Sequence, residues 1–350
     1  DVSDNREVKS MGVMSRETAG ALIEAAFAAA DEHGTVSFAF QGGEPTVAGL
    51  DFFRDFVAMV SAFRPLDRQV SCALQTNGMA LNEEWTHFLK ENQFLVGLSV
   101  DGYRELHDHY RVDTKGDGTY GRVAKALALL QKFEVETNLL CVVTGQCAKH
   151  PQKTYASMKK LGVRYLQFIP CLDPLEEQRG RAVYSLTPKL YGDFLCGLFD
   201  QWYRDWAEGH YTSVRLFDDY VHLAMGEPAS TCAASGGCGS YFVVEADGGV
   251  YPCDFYVLDR WRMGDVHTDS LKQLANDETA SEFLRQGRLR PSRCASCRWV
   301  PLCNGGCRRD WTGGADDTEN YYCESFRRFF EYAADRIGEI AWQERRSRMR

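Results

Sequence analysis

Apolar and polar positions along the first half of the chain follow two interleaved rhythms. Residues 15–33, SRETAGALIEAAFAAADEH, repeat apolar positions at helical spacing, with Ser15 placed to cap the start and Gly34 to stop the run. Residues 35–40 (TVSFAF) switch to a short β-type run that ends in the turn-rich Gln41-Gly42-Gly43-Glu44-Pro45-Thr46. The unit then recurs. Strands are predicted over 69–73, 94–100, 136–144 and 164–169, and helices over 50–61, 82–91, 120–133 and 151–161. The polar breaks GGEP, QTNG, SVDG and CLDP each follow a strand.

Such alternation predicts an α/β fold, a parallel sheet with helices packed outside it and the chemistry at the carboxyl ends of the strands. The first element is a helix with no strand before it, so a first strand is expected upstream of Asp1; its loss would expose a sheet edge prone to pairing. Residues 191–206 and 217–225 read as amphipathic helices of a bridge. A last helix over 324–344 offers Phe326, Phe329, Phe330, Tyr332 and Ile337 as its packing face. The expected division is a barrel over 1–175, a helical bridge over 176–230 and a cysteine-rich domain over 231–350. No solenoid-type repeat is evident.

Charge and composition narrow the classes. A net charge of −9 argues against a nucleic-acid binder, which needs a basic face. The basic tail from Arg345 onward reads as a solvated end. No apolar run approaches the ~18–20 residues of a membrane span. The start, Asp1-Val2-Ser3-Asp4-Asn5-Arg6, resembles neither a signal peptide nor an initiating methionine and reads like the middle of a chain. A long, enzyme-like first part with few cysteines does not suit a secreted disulfide scaffold, so cytoplasmic metal ligation is expected.

Of thirteen cysteines, eight fall between 232 and 323: Cys232-x5-Cys238-x14-Cys253, then Cys294-x2-Cys297-x5-Cys303-x3-Cys307, then Cys323. Eight is two sets of four, the number of thiolates that an iron–sulfur cluster or a structural zinc takes. Two zinc ribbons would more simply show paired CxxC knuckles, and only one CxxC is present; zinc stays open as the alternative. Cys72, Cys141, Cys147, Cys171 and Cys196 are expected to be packed small side chains. The His107/His109 pair has no ligand-type neighbours at metal spacing and makes no site of its own.

Taken by themselves, the remaining candidates each have a plain reading. Gly-Gly before Glu-Pro can be a turn after a strand, Arg111 a surface ion-pair partner, and Asp254 a cap or a salt-bridged loop carboxylate. The functional readings are a backbone open to a ligand at Gly42 and Gly43, a forked donor for a carboxylate at Arg111, and a partly buried general base at Asp254.

The cysteine spacing, with Gly248 five residues before Cys253, resembles the SPASM domain of radical S-adenosylmethionine (SAM) enzymes. Together with Cys232, QGGEPT, QTNG, YPCDFY and Leu172-Asp173-Pro174, it resembles the anaerobic sulfatase-maturating enzymes over essentially the whole chain. The resemblance implies a partial (β/α)6 radical SAM barrel followed by a SPASM domain with a small β-hairpin and helices. It implies two auxiliary [4Fe–4S] clusters, one on Cys232, Cys238, Cys253 and Cys307 and one on Cys294, Cys297, Cys303 and Cys323. Gly42, Gly43 and Glu44 would hold the amino group of SAM, Ser99 and Arg111 its carboxylate, and Leu172 would flank the adenine. Gln41 would touch the substrate peptide, and Asp254 would remove its thiol or hydroxyl proton. The implied activity is oxidation of a cysteine or serine in an unfolded sulfatase segment (CxPxR or SxPxR type) to formylglycine. A reductant such as flavodoxin or ferredoxin would supply electrons under anaerobic conditions.

One motif of that family is absent. No CxxxCxxC, the holder of the SAM-binding third [4Fe–4S] cluster, precedes Gln41; the first cysteine is Cys72. The chain is therefore expected to be an N-terminally truncated form, inactive as it stands. Other expectations of the same residues are a SPASM maturase that crosslinks a ribosomal peptide, and a non-catalytic iron–sulfur fragment that transfers electrons.

Overall fold

Helix and strand alternate along residues 16–224 much as the apolar rhythm requires. The computed structural model describes residues 12–175, 177–239, 241–313 and 318–348; the stretch Ser3 to Arg6 and the end of the basic tail lie outside them. The elements are α1 (Arg16–Ala29), β1 (Thr35–Phe40), α2 (Leu50–Phe63), β2 (Gln69–Thr76), α3 (Glu83–Glu91), β3 (Leu95–Ser99), α4 (Arg104–Tyr110), α5 (Tyr120–Lys132) and β4 (Thr137–Val143). Then come α6 (Gly145–Ala148), α7 (Pro151–Lys159), β5 (Tyr165–Pro170), α8 (Pro188–Ala207), β6 (Ser213–Val214) and α9 (Arg215–Ala224). Ser15 caps α1, its Oγ accepting from the Thr18 amide at 3.0 Å. The helix ends at Ala29, before the expected stop, and a turn closed by Gly34 N–H to Asp31 O leads into β1.

Strands β1 to β6 lie in sequence order in one six-stranded sheet, and the pairs β1–β2, β2–β3, β4–β5 and β5–β6 run parallel. This is the sheet of a partial (β/α)6 barrel. Five strands were legible in the sequence; β6 has two residues and carries no periodic signal of its own.

The cysteine-rich part adds α10 (Cys232–Ser235), β7 (Val243–Val244), β8 (Gly249–Tyr251), β9 (Gly264–Asp265), α11 (Leu271–Leu274), α12 (Glu278–Arg288), α13 (Val300–Cys303), β10 (Trp311–Thr312), β11 (Glu319–Asn320) and α14 (Cys323–Arg348). Strands β7, β8 and β9 form an antiparallel sheet, and β10 and β11 form the expected small hairpin.

By contacts the chain divides into two units. The first comprises the residues up to Ser99, then 122–137 and 239–286. In it Ile23 and Phe27 of α1, Phe38 of β1, and Phe56 and Val60 of α2 are buried together, with Phe38 and Phe56 edge-to-face at 5.2 Å. Another face of α1, with Ala21, Ala25 and Ala29, packs against Val250, Met263, Val266, Leu271 and Leu274. The small side chains let the antiparallel sheet lie close to the helix.

The second unit comprises residues 100–121, 138–238 and 287 onward. Phe329 of α14 is fully buried against Phe199 of α8 at 5.5 Å and Phe217 of α9 at 5.6 Å between ring centroids. The loop after β5 is fixed by buried Asp173, whose carboxylate accepts from the Ser185 hydroxyl and the Gly180 amide. Among the described residues, no helix is long and apolar enough to cross a membrane.

Candidate functional site

The carboxyl end of β1 delivers Gln41, Gly42, Gly43 and Glu44 in succession. Gly42 and Gly43 adopt φ of +86° and +53°, which a side chain would strain, and a Cβ on either would meet nothing within 4 Å. Backbone there faces open space, a cradle that fits a ligand's amino group. Glu44 is more constrained than its sequence reading required. One carboxylate oxygen accepts from the Thr46 amide (3.1 Å), the Thr46 hydroxyl (2.6 Å) and the Thr76 hydroxyl (2.7 Å). The other accepts from the Asn77 amide at 2.7 Å. The carboxylate thus ties the end of β1 to the end of β2, and the QTNG break supplies its partners.

Asp254 follows β8 at the start of a 3-10 turn. Its Oδ2 accepts from the Gln41 side-chain amide at 3.3 Å and its Oδ1 from the Tyr241 hydroxyl at 2.5 Å. The strand register explains Tyr241. Val243 pairs with Tyr251, so two residues further out Tyr241 stands opposite Cys253, and its hydroxyl lies 3.8 Å from the Cys253 sulfur. Burial, with the Asp254 charge adding to it, pushes the Cys253 thiol up to about 12. Burial, with Cys253 and Asp254 beside it, likewise raises the Tyr241 phenol, which stays a donor at neutral pH. Gln41 and Asp254 were sequence candidates and meet here. Tyr241 was not, because nothing in Gly239-Ser240-Tyr241 marks it before the register is known.

In the second unit, Arg111 closes α4 and donates from Nε to Asp101 Oδ2 at 2.5 Å and from Nη2 to Asp101 Oδ1 at 3.4 Å. Asp101 is 5% exposed, so the plain ion-pair reading of Arg111 holds, though with a buried partner. No bond from Nη1 of Arg111 occurs among the described residues, which leaves that edge of the fork for an anion. Ser99, in the first unit, is buried at the end of β3. Leu172 is half-buried in the loop after β5.

Cys294, Cys297, Cys303 and Cys323 line a single cavity of about 370 Å³, with Trp299, Gly305 and Phe330 among its other walls. Local structure brings them there. Cys294 lies in a 3-10 turn that ends before Cys297, Cys303 closes α13, and Cys323 opens α14. Among the described residues no three His, Cys, Asp or Glu side chains converge as ligands of a single ion; the sulfurs line the wall of the cavity. Burial pushes Cys303 up to about 12 and raises Cys294 and Cys323, and the neighbouring thiols add to each shift. Thiols grouped in this way become thiolates together around strong positive charge, which an iron–sulfur cluster supplies. Donor set and cavity fit one.

Cys232, Cys238 and Cys307 belong to the second unit and Cys253 to the first. Burial, with Cys232 nearby, raises the Cys238 thiol. A Cβ at Gly287 would stand 2.7 Å from the Cys238 sulfur, so the absence of a side chain at 287 is what lets α12 pass it. After Cys307 the chain is pinned: Arg309 donates to the Asp173 carbonyl at 2.6 Å, and Arg179 to Asp310 at 3.0 Å. Cys72, Cys141, Cys147, Cys171 and Cys196 are buried or half-buried, as packed side chains should be.

Residues 8–158 match the radical SAM superfamily and residues 236–298 an iron–sulfur cluster-binding domain, SPASM. The chain is 44% identical to the cysteine-type anaerobic sulfatase-maturating enzyme of Clostridium perfringens (strain 13 / Type A) over 97% of its own length and 92% of that protein's. It is 30% identical to the serine-type anaerobic sulfatase-maturating enzyme of Bacteroides thetaiotaomicron, over 85% of this chain and 76% of that one. The solved structure described as native anSMEcpe with bound AdoMet and Kp18Cys peptide superposes with a TM-score of 0.93 at 43% identity, covering 96% of this chain and 92% of that chain.

Proposed function

The chain belongs to the anaerobic sulfatase-maturating enzymes, oxidoreductases of the radical SAM superfamily with a SPASM domain, and on that footing we propose that it converts a cysteine of a sulfatase polypeptide to formylglycine. The higher identity to the cysteine-type than to the serine-type relatives supports cysteine as the preferred residue. The solved structure of a relative with bound AdoMet and Kp18Cys peptide supports a peptide substrate. The observation that carries the reading is the group around Asp254, a carboxylate held by Gln41 and Tyr241 beside cluster-type Cys253.

Each residue then has a part. Gly42, Gly43 and Glu44 receive the amino group of SAM, Ser99 and Arg111 its carboxylate, and Leu172 lies against the adenine. Cys232, Cys238, Cys253 and Cys307 hold one auxiliary [4Fe–4S] cluster and Cys294, Cys297, Cys303 and Cys323 a second. When bound, these groups supply the hard chemistry: SAM on a further [4Fe–4S] cluster a carbon-centred radical, the auxiliary clusters a one-electron sink. Gln41 positions the peptide, and Asp254, held by the Gln41 amide and the Tyr241 hydroxyl, accepts the thiol proton as the β-carbon loses a hydrogen atom and an electron. The resulting thioaldehyde is hydrolysed to the aldehyde with release of hydrogen sulfide.

The functional division follows the sequence: barrel over 1–175, bridge over 176–230, cluster domain over 231–350. A reductant such as flavodoxin or ferredoxin is the proposed electron donor, and the cytoplasm the proposed compartment. The test is anaerobic incubation of the full-length, reconstituted protein with SAM, a reductant and a CxPxR-type peptide. Mass spectrometry should show cysteine replaced by formylglycine; an unchanged peptide beside a positive-control maturase would refute the proposal.

A further inference from the structure

The segment between β3 and α5 closes a ring of hydrogen bonds around Arg111. The Asp101 backbone N–H donates to Nδ1 of His107 at 3.1 Å. That bond makes Nδ1 an acceptor and so puts the imidazole proton on Nε2, which faces the Thr119 hydroxyl at 3.1 Å. The Thr119 hydroxyl donates onward to the Arg111 carbonyl at 2.9 Å, and the Thr119 amide reaches the same oxygen at 3.2 Å. The Arg111 guanidinium returns to the Asp101 carboxylate and completes the circuit. The Val142 amide holds Asp101 Oδ1 from β4 at 2.8 Å.

Local sequence builds this ring. Residues 112–118 form a small hairpin, with Val112 and Gly118 bridged and Asp113 accepting at its tip from the Lys115 and Asp117 amides. The hairpin returns Thr119 to the last turn of α4. Asp108 then accepts from the Tyr120 amide at 2.7 Å, and the Tyr120 ring packs on His107 at 5.6 Å. His107 is fully buried, and burial holds it neutral. A protonated ring would set a second N–H against the Asp101 amide, so the ring of bonds requires the neutral form.

We propose that Asp101, His107 and Thr119 are positioning residues for the cofactor: they fix the Arg111 guanidinium, through its side chain and its own carbonyl, so that its Nη1 edge meets the carboxylate of SAM. The inference rests on the reading of Arg111 as the carboxylate-binding residue. A surface arginine pays rotamer entropy when it binds an anion, and one clamped from two directions has already lost it. Burying Asp101 without Arg111 would strand a charge, so the pair also explains why a carboxylate sits at the carboxyl end of β3.

The test separates the clamp from general folding by changing the ligand as well as the protein. Dissociation constants for SAM and for decarboxylated SAM are measured on the reconstituted full-length protein and on Arg111→Met, Asp101→Asn, His107→Phe and Thr119→Val. The quantity read is the preference for SAM over the analogue that lacks the carboxylate. Arg111→Met should abolish it, and the three ring variants should reduce it about tenfold, the scale of one charge-assisted hydrogen bond. Ring variants that weaken both ligands equally, or keep the full preference while Arg111→Met loses it, would overturn the proposal and leave the Arg111 reading intact. A preference unchanged in Arg111→Met would overturn both. Thr119→Val removes one hydroxyl at constant shape and buries no charge, so it stays informative should Asp101→Asn fail to fold.

Discussion

The Tyr241 hydroxyl donates to Oδ1 of Asp254 at 2.5 Å, across the open end of an antiparallel pair whose register places Tyr241 opposite Cys253. With Gln41 on the other oxygen at 3.3 Å, the carboxylate is held at both ends. Tyr241→Phe keeps the ring and removes one hydrogen bond to a charged group, worth ~1.5–3 kcal/mol. If the bond aims Asp254 in the transition state, turnover should fall about 10- to 100-fold with little change in peptide KM. Steady-state formylglycine formation measures both, and Asp254→Asn in the same assay should approach background. Full turnover by Asp254→Asn would remove it as the base.

The cavity on Cys294, Cys297, Cys303 and Cys323 makes a claim about iron. Cys303→Ala should lower iron and acid-labile sulfide together after anaerobic reconstitution. Cys196→Ala, in α8 and outside both proposed ligand sets, should leave them at the wild-type level. Equal iron in the two variants would contradict the assignment.

Acid should find His107. Burial holds its folded-state pKa below the ordinary 6.5, so the unfolded chain takes the proton first as pH falls. Its contribution is therefore complete above the unfolded-state pKa, declines below it, and is fully lost once pH drops past the folded-state value. Urea midpoints at about pH 7.5 and about pH 5.5 should show a larger loss for the wild type than for His107→Phe, which cannot titrate there.

Phe329 anchors α14 against α8 and α9, fully buried between Phe199 and Phe217. Phe329→Ala should cost ~3–5 kcal/mol of stability through the cavity it leaves. Denaturant unfolding of the reconstituted protein measures it; a change within ~0.5 kcal/mol, the scale of an ordinary surface substitution, would contradict the packing account.

The long periodic elements were readable before the structure because burial on one face imposes a period. β1 spans its expected residues, and α3 begins after the Asn82 cap, whose side chain accepts from the Trp85 amide at 3.0 Å. The short elements α4, α6 and β6 have too few turns or residues to show a period. The cysteines stood out as candidates because ligand-type spacing is a local property, and Gln41 and Asp254 through family resemblance. Tyr241, Asp101 and Thr119 were not, since each is defined by a partner that strand register or a hairpin return brings close. Glu44 shows the remaining gap. Its residue type was read as a ligand group, while its four bonds to Thr46, Thr76 and Asn77 depend on how β1 and β2 end side by side.

The proposed reaction begins with a hydrogen atom taken from the β-carbon of the substrate cysteine. A CxPxR-type peptide with its cysteine deuterated at the β-carbon is incubated anaerobically with the full-length reconstituted protein, SAM and a reductant. The 5′-deoxyadenosine and the peptide are then analysed by mass spectrometry. Deuterium entering 5′-deoxyadenosine in step with formylglycine formation is the predicted result. 5′-Deoxyadenosine that forms without deuterium, while the peptide keeps its cysteine, would contradict it.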